Sequence, residues 1–197
     1  ALTSNDVTDE LDPILVTGQT VIVDDDLLPK FKTEALAWFE ERNLTVELNE
    51  RLDGGFYHVR GSGKGWNTKN YVAMITALFE NGVTKCLVGT RGLLGEGWDA
   101  LCVNTLIDLT SAATEMTVNQ LRGRAIRMNP EAPDKVSNIW DVVCVAPEFE
   151  KGLSDYTRFG RKHVGYYGLC DDGAIEKGLG HLHPALTEAG PEDVALN

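Results

Sequence analysis

Val88-Gly89-Thr90-Arg91-Gly92-Leu93-Leu94-Gly95-Glu96-Gly97-Trp98-Asp99 follows the apolar run that begins near Lys85, and its reading decides the fold. Glycine tolerates positive φ and lets a backbone approach a ligand closely. A loop with four glycines between positions 89 and 97, placed after a buried strand, can turn its N–H groups toward phosphate oxygens. Asp99 at its end has the oxygens to accept from a ribose hydroxyl. The alternative is a flexible turn closed by a capping Asp. Either way, the stretch reads as strand, loop and re-entry, the punctuation of an α/β layer.

Working outward, strand and helix signals alternate on both sides. Thr20 to Val23, Leu44 to Leu48, Phe56 to Val59, Lys85 to Val88, Val103 to Leu109 and Ile139 to Val145 are short apolar runs suited to strands. Asp53-Gly54-Gly55 reads as the turn between the second and third. Helices are expected from Thr33 to Asn43, from Thr68 to Asn81-Gly82, and from Glu115 to Arg127. This order predicts an α/β parallel sheet with helices on both faces, over residues 20–147. Residues 1–19 are a lead-in, and residues 148–197 an accessory segment with one helix, Ser154 to His163. Ligands of such sheets collect beyond the carboxyl ends of the strands, here the loops after Val59, Val88, Leu109 and Val145.

Composition narrows the class. The 197 residues are 43% hydrophobic and 24% charged, an ordinary globular balance. At about 150 residues per domain this is one domain plus an extension. No apolar run is long enough to span a bilayer. The Ala1-Leu2-Thr3-Ser4 start has neither an initiating Met nor the pattern of a signal peptide, so the chain reads as a cytoplasmic piece of a longer protein. A net charge of -12 excludes nucleic-acid binding through bulk charge. Most of the acidic excess precedes residue 61, so an anion site belongs after it. Cys86, Cys102, Cys144 and Cys170 lack metal-knuckle spacing and read as buried, reduced thiols.

A second informative stretch is Asn119-Gln120-Leu121-Arg122-Gly123-Arg124-Ala125-Ile126-Arg127. Gln120, Arg124 and Arg127 are spaced i, i+4 and i+7 and share one face of a helix, while Arg122 points elsewhere. Two guanidiniums and an amide on one face carry the donors that the end of a triphosphate needs. Gly123 costs up to about 1 kcal/mol against Ala in a helix, with no gain unless something packs close to it. A solvated basic helix face is the plainer reading.

Together the two stretches resemble motifs V and VI of the second RecA-like domain of superfamily 2 helicases. Glu96-Gly97-Trp98-Asp99 is similar to the form in restriction-enzyme-type and DEAD/DEAH-related translocases. Gln120, Gly123, Arg124 and Arg127 match the arginine-finger pattern, and the strand and link between the stretches keep the family's order. The resemblance spans residues 20 to about 147. It implies that Arg124 and Arg127 reach the γ-phosphate of ATP held by a preceding RecA-like domain, with Gln120 positioning the phosphate or the attacking water. It implies that Gly97, Asp99 and Glu96 line the nucleotide. Thr90 and Arg91 would contact a nucleic-acid backbone, DNA ahead of RNA; their loop is one residue longer than the usual DEAD-box pattern. The family's cofactors are ATP and Mg²⁺, held mainly by the other domain.

What is missing is equally informative. Gly61-Ser62-Gly63-Lys64-Gly65 imitates a Walker A loop, yet His58 stands where the first Gly belongs and Gly65 replaces the Ser/Thr that holds Mg²⁺. Trp66 stands where a dinucleotide fingerprint needs its last Gly. Asp24-Asp25-Asp26 imitates a Walker B strand end but reads more simply as a helix cap. The chain alone is therefore expected neither to bind ATP tightly nor to hydrolyse it.

In the helicase reading, Ser62 and Lys64 face phosphate and Trp66 stacks on a base; the alternative is a surface loop with a packing Trp. In the tail, Tyr156, Phe159 and His163 share a docking face that suits packing against the core or a missing domain, the alternative being nucleic-acid contact through the basic residues among them. His181-x-His183 beside Pro184 is at most half a metal site. The competing function is a doubly wound module binding a small phosphorylated ligand through Gly89 to Asp99, with no motor role. A third is a motor serving a nuclease in a restriction or DNA-repair assembly.

Overall fold

The fold was analysed in a computed structural model that describes residues 2–18, 20–95, 97–170, 172–183 and 186. It divides into two compact units, residues 1–102 and residues 103–197. The first contains α1 (Asp6–Asp9), β1 (Ile14–Thr17), β2 (Thr20–Val23), α2 (Leu28–Glu41), β3 (Glu47–Asp53), β4 (Phe56–Ser62), α3 (Thr68–Glu80), β5 (Leu87–Gly89) and the single turn α4 (Arg91–Leu94). The second contains β6 (Thr105–Asp108), α5 (Glu115–Ile126), β7 (Asn138–Asp141), α6 (Ser154–His163), β8 (Tyr167–Leu169) and β9 (Ile175–Lys177).

The chain is mixed α/β, but the main sheet is mixed rather than parallel. Its strand order is β3-β4-β2-β1-β5. Only β1 and β5 pair in parallel; β1–β2, β2–β4 and β3–β4 are antiparallel. The β3–β4 ladder explains much of this. Asp53 pairs with Phe56 across Gly54 and Gly55, whose φ angles are +61° and +87°. Positive φ at both central residues is the turn that matches the twist of a tight hairpin, so the chain must reverse here. The lead-in drawn over residues 1–19 also contains β1, which lies inside the sheet between β2 and β5.

Alternation sets the inner face. Ile14 and Val16 of β1 oppose Val23 and Val21 of β2, and Val59 of β4 continues the row; all are 0–1% exposed. Phe31, Ala35 and Phe39 of α2, and Tyr71, Met74, Ile75 and Leu78 of α3, join them in one cluster. The two helices thus share one face of the sheet, while Leu15 and Ile22, on the other side, are half-buried.

The helix starts differ from their expected residues. Thr33 lies inside α2, where its hydroxyl donates to the Pro29 carbonyl. α2 begins earlier, with Pro in its first turn and the Leu27 N–H donating to Asp24 Oδ1. Leu27 is the N-cap residue and has no side-chain cap bond, so Asp24 bonds the N–H that precedes the helix and the acidic run does not supply the expected cap. Asn67 caps α3, its side chain accepting from the Asn70 N–H.

In the second unit β6 and β7 form a two-stranded parallel sheet, with Asp108 opposite Asp141 at its carboxyl end. α5 packs on both strands, whereas Ile107 and Trp140, opposite each other in the register, are 59% and 61% exposed. α6 occupies the span expected for the tail helix, and a β8–β9 hairpin follows it. Among the described residues no helix is long and apolar enough to cross a membrane.

Candidate functional site

Strand direction brings two of the singled-out loops to one edge of the first sheet. β4 is antiparallel to β2, β2 is antiparallel to β1, and β1 is parallel to β5. β4 and β5 therefore run the same way, and the loops after Ser62 and after Gly89 leave the sheet on the same side. Three strand spacings separate the two strands, about 14 Å at 4.8 Å each.

The loop after β5 is organised by close approaches. The Leu93 and Leu94 N–H groups both donate to the Thr90 carbonyl at 3.0 Å, forming the turn α4. A Cβ at Gly89 would stand 2.6 Å from Leu94 Cδ1, and one at Gly95 would stand 1.8 Å from the Arg91 carbonyl oxygen. Gly95 meets backbone and leaves no room for a side chain, whereas at Gly89 the Leu94 side chain would have to shift. Gly97 adopts a φ of +80°. Beyond it, Trp98 Nε1–H donates to Thr76 Oγ1 at 2.8 Å, which ties the end of the loop to α3. The glycines thus serve a local fold first, and the loop leaves Thr90, Arg91, Gly97 and Asp99 exposed. Glu96 lies outside the described residues.

The loop after β4 departs from its expected role. Trp66 is 9% exposed and stacks on Tyr71, with ring centroids 5.4 Å apart and planes inclined by 19°. A Cβ at Gly61 would come within 2.2 Å of the Trp66 ring. Gly61 is there to let that ring into the core. As a base-stacking platform Trp66 is therefore corrected to a core residue, because burial of its large apolar surface outweighs its exposure at the loop. Gly63, at φ +97°, and Gly65 fold the loop over the Thr45 backbone. Ser62 and Lys64 remain exposed at the sheet edge.

In the second unit the expected common face of Gln120, Arg124 and Arg127 is divided. Gln120 is exposed on α5. Arg124 is 8% exposed, in the buried set with Val118, Leu121 and Ala125. Arg127 lies past the last helical residue, at the C-cap with ψ near 134°, and is exposed. The helix ends one residue too early to carry Arg127 on the same face. A Cβ at Gly123 would meet nothing within 4 Å, so no described residue packs close enough to require the glycine.

Arg122 does point elsewhere, into a buried charge cluster that the sequence reading did not assemble. Lys162 Nζ lies 2.7 Å from Asp108 Oδ2 and 2.8 Å from Asp141 Oδ1. Arg122 Nη2 lies 2.8 Å from Asp141 Oδ2 and 3.1 Å from His163 Nε2. Asp108, Asp141, Lys162 and His163 are all under a tenth exposed. Burial by itself would raise the Asp141 carboxyl. Hydrogen bonds from His163 and Lys162, with the charges of Lys162 and Arg122, outweigh it and hold that carboxyl well below the usual range. Two signals were present: Thr-Leu-Ile-Asp and Asn-Ile-Trp-Asp both end in Asp, and α6 ends in Lys-His. Their register across parallel strands was not.

Among the described residues no group of three or more His, Cys, Asp or Glu side chains could hold a metal ion. His181 and His183 have no metal-ligand set around them there, and Pro184 lies outside the described residues. The cysteines form no disulfide; Cys170 is buried, and Cys144 is exposed rather than buried as expected. No family model, curated protein or solved structure matches the chain.

Proposed function

We propose that the chain is the second motor domain of an ATP-dependent nucleic-acid helicase or translocase. In this reading Arg127 enters from outside the nucleotide pocket of another RecA-like domain. What supports it most is the exposure of Arg127 at the end of α5 and of Gln120 within it, in a chain that also carries the Gly89 to Asp99 loop. Guanidinium donors act on a transferring phosphoryl group by stabilising charge that builds only in the transition state. Gln120 would supply an amide from within α5. Arg124, being buried, would have to emerge when the domains close, so Arg127 bears the larger share. The exposed Thr90, Arg91, Ser62 and Lys64 are the chain's contribution to a nucleic-acid track, with DNA ahead of RNA.

ATP and Mg²⁺ fit this chain only in part. Donors for terminal phosphate oxygens are present, while the Mg²⁺-holding Ser/Thr of a phosphate loop is replaced by Gly65. The nucleotide and its metal would accordingly be held by the other domain and supply the bond that is broken. With that domain present, Arg127→Ala should lower ATP turnover by about 10³- to 10⁵-fold. Unchanged turnover in that variant removes the finger assignment.

The burial of Arg124 favours a second reading, a small phosphorylated-ligand module built on the first unit alone. Titration calorimetry of the isolated chain separates the two. The motor reading predicts no tight ATP binding, and the module reading predicts micromolar binding of a nucleotide or sugar phosphate that Gly97→Val abolishes.

A further inference from the structure

Residues just after α6 meet α5 along one line. The Tyr166 hydroxyl donates to Asn119 Oδ1, and the Arg122 guanidinium lies over the Tyr166 ring at 4.7 Å from its centroid. A Cβ at Gly165 would stand 3.2 Å from the Glu115 carboxyl carbon. Glu115, Asn119 and Arg122 are spaced i, i+4 and i+7, so all three lie on one face of α5. At about 100° per residue that face is roughly 140° around the axis from the one bearing Gln120 and Arg124. Val118, Leu121 and Ala125 occupy the remaining side and are buried.

Behind this line the tail is anchored to the sheet. Lys162 sits between Asp108 and Asp141 at the carboxyl ends of two strands, and Arg122 shares Asp141 with it. A single carboxylate thus joins β7, α5 and α6. The exposed face of α5 cannot rotate without breaking contacts on the opposite one.

We propose that Lys162, His163 and Tyr166 form a clamp that fixes the rotation of α5 and so sets how Gln120 and Arg127 are presented. The tail is then a positioning element for the arginine helix and not an independent nucleic-acid arm. The clamp stands on the contacts above; its use in presenting Arg127 rests on the motor reading.

Amide hydrogen exchange of the whole chain tests the clamp directly, with the β3–β4 hairpin as internal reference. Tyr166→Phe removes one hydroxyl and should speed exchange of the α5 amides about 3- to 10-fold, with the hairpin unchanged. Lys162→Met should speed exchange in both α5 and α6 by a larger factor; if it fails to fold, Tyr166→Phe decides. Unchanged α5 exchange in Tyr166→Phe, or equal acceleration of the hairpin, overturns the clamp. In the turnover assay Tyr166→Phe should lower kcat while leaving KM for ATP unchanged. Faster α5 exchange with unaltered kcat, where Arg127→Ala does lower turnover, overturns the presenting role. Loss of the Arg127 effect itself rejects the motor reading and leaves the exchange result to judge the clamp.

Discussion

Gly61 and Trp66 carry the sharpest information at the scale of single residues. The indole is held against Tyr71 and Phe39, and its ring leaves no room for a side chain at position 61. Trp66→Ala should cost about 3–5 kcal/mol, measured by urea unfolding of the purified chain. A cost below about 1 kcal/mol would place the indole outside the core. Gly123 makes the opposite prediction, since the space around it is open and its backbone is helical. Gly123→Ala should stabilise the chain by about 0.5–1 kcal/mol. If it also slows ATP turnover in the proposed motor, the glycine serves close approach by another molecule. Trp66 was legible as a large apolar residue in a Gly-rich loop. Its direction was not, because a sequence pattern does not say whether a loop side chain folds inward.

The elements whose existence rests on local chemistry were legible at the element scale: the Gly54-Gly55 hairpin, α3 stopped by Asn81-Gly82, and α6. Those that rest on partners were not. α2 begins at Leu28 with Pro29 in its first turn, and Thr33 lies inside it with its hydroxyl on the Pro29 carbonyl. α5 starts where expected but stops short of Arg127, and its inward face includes Arg124, with Arg122 drawn to Asp141. This gives a pH prediction. The Asp141 carboxyl is held below its ordinary value in the folded state, so its contribution is fully present above about pH 5. It fades as pH falls through about 4 toward the depressed folded value. Exchange in α5 and α6, followed from pH 6 downward, should therefore accelerate only on the acid side. Asp141→Asn should show fast exchange already at pH 6, since it leaves Lys162 and Arg122 buried without that anion. Acceleration on raising the pH from 6 would contradict the sign.

Electrostatics governs what can be expected of the whole molecule. With a net charge of -12, the attraction to nucleic acid that the proposed motor role requires would have to come from a few groups at one sheet edge. About two phosphate contacts, through Lys64 and Arg91, give an expected slope of about -1.4 in log K against log salt for a single strand. Fluorescence anisotropy of a labelled oligonucleotide across salt concentrations reads it; a slope steeper than about -4 would require a basic track that the sequence does not contain. The sequence by itself determined the alternation of strand and helix, the glycine turns, the acidic surface and the order of the two motif-like stretches, because periodicity, backbone freedom and charge are local properties. Only the tertiary structure decided that the main sheet is mixed, that Trp66 and Arg124 face inward, and that Asp108, Asp141, Arg122 and Lys162 share one buried site. Those outcomes depend on which strand lies beside which and on how a buried charge finds its counter-charge across many intervening residues, and no local pattern encodes either.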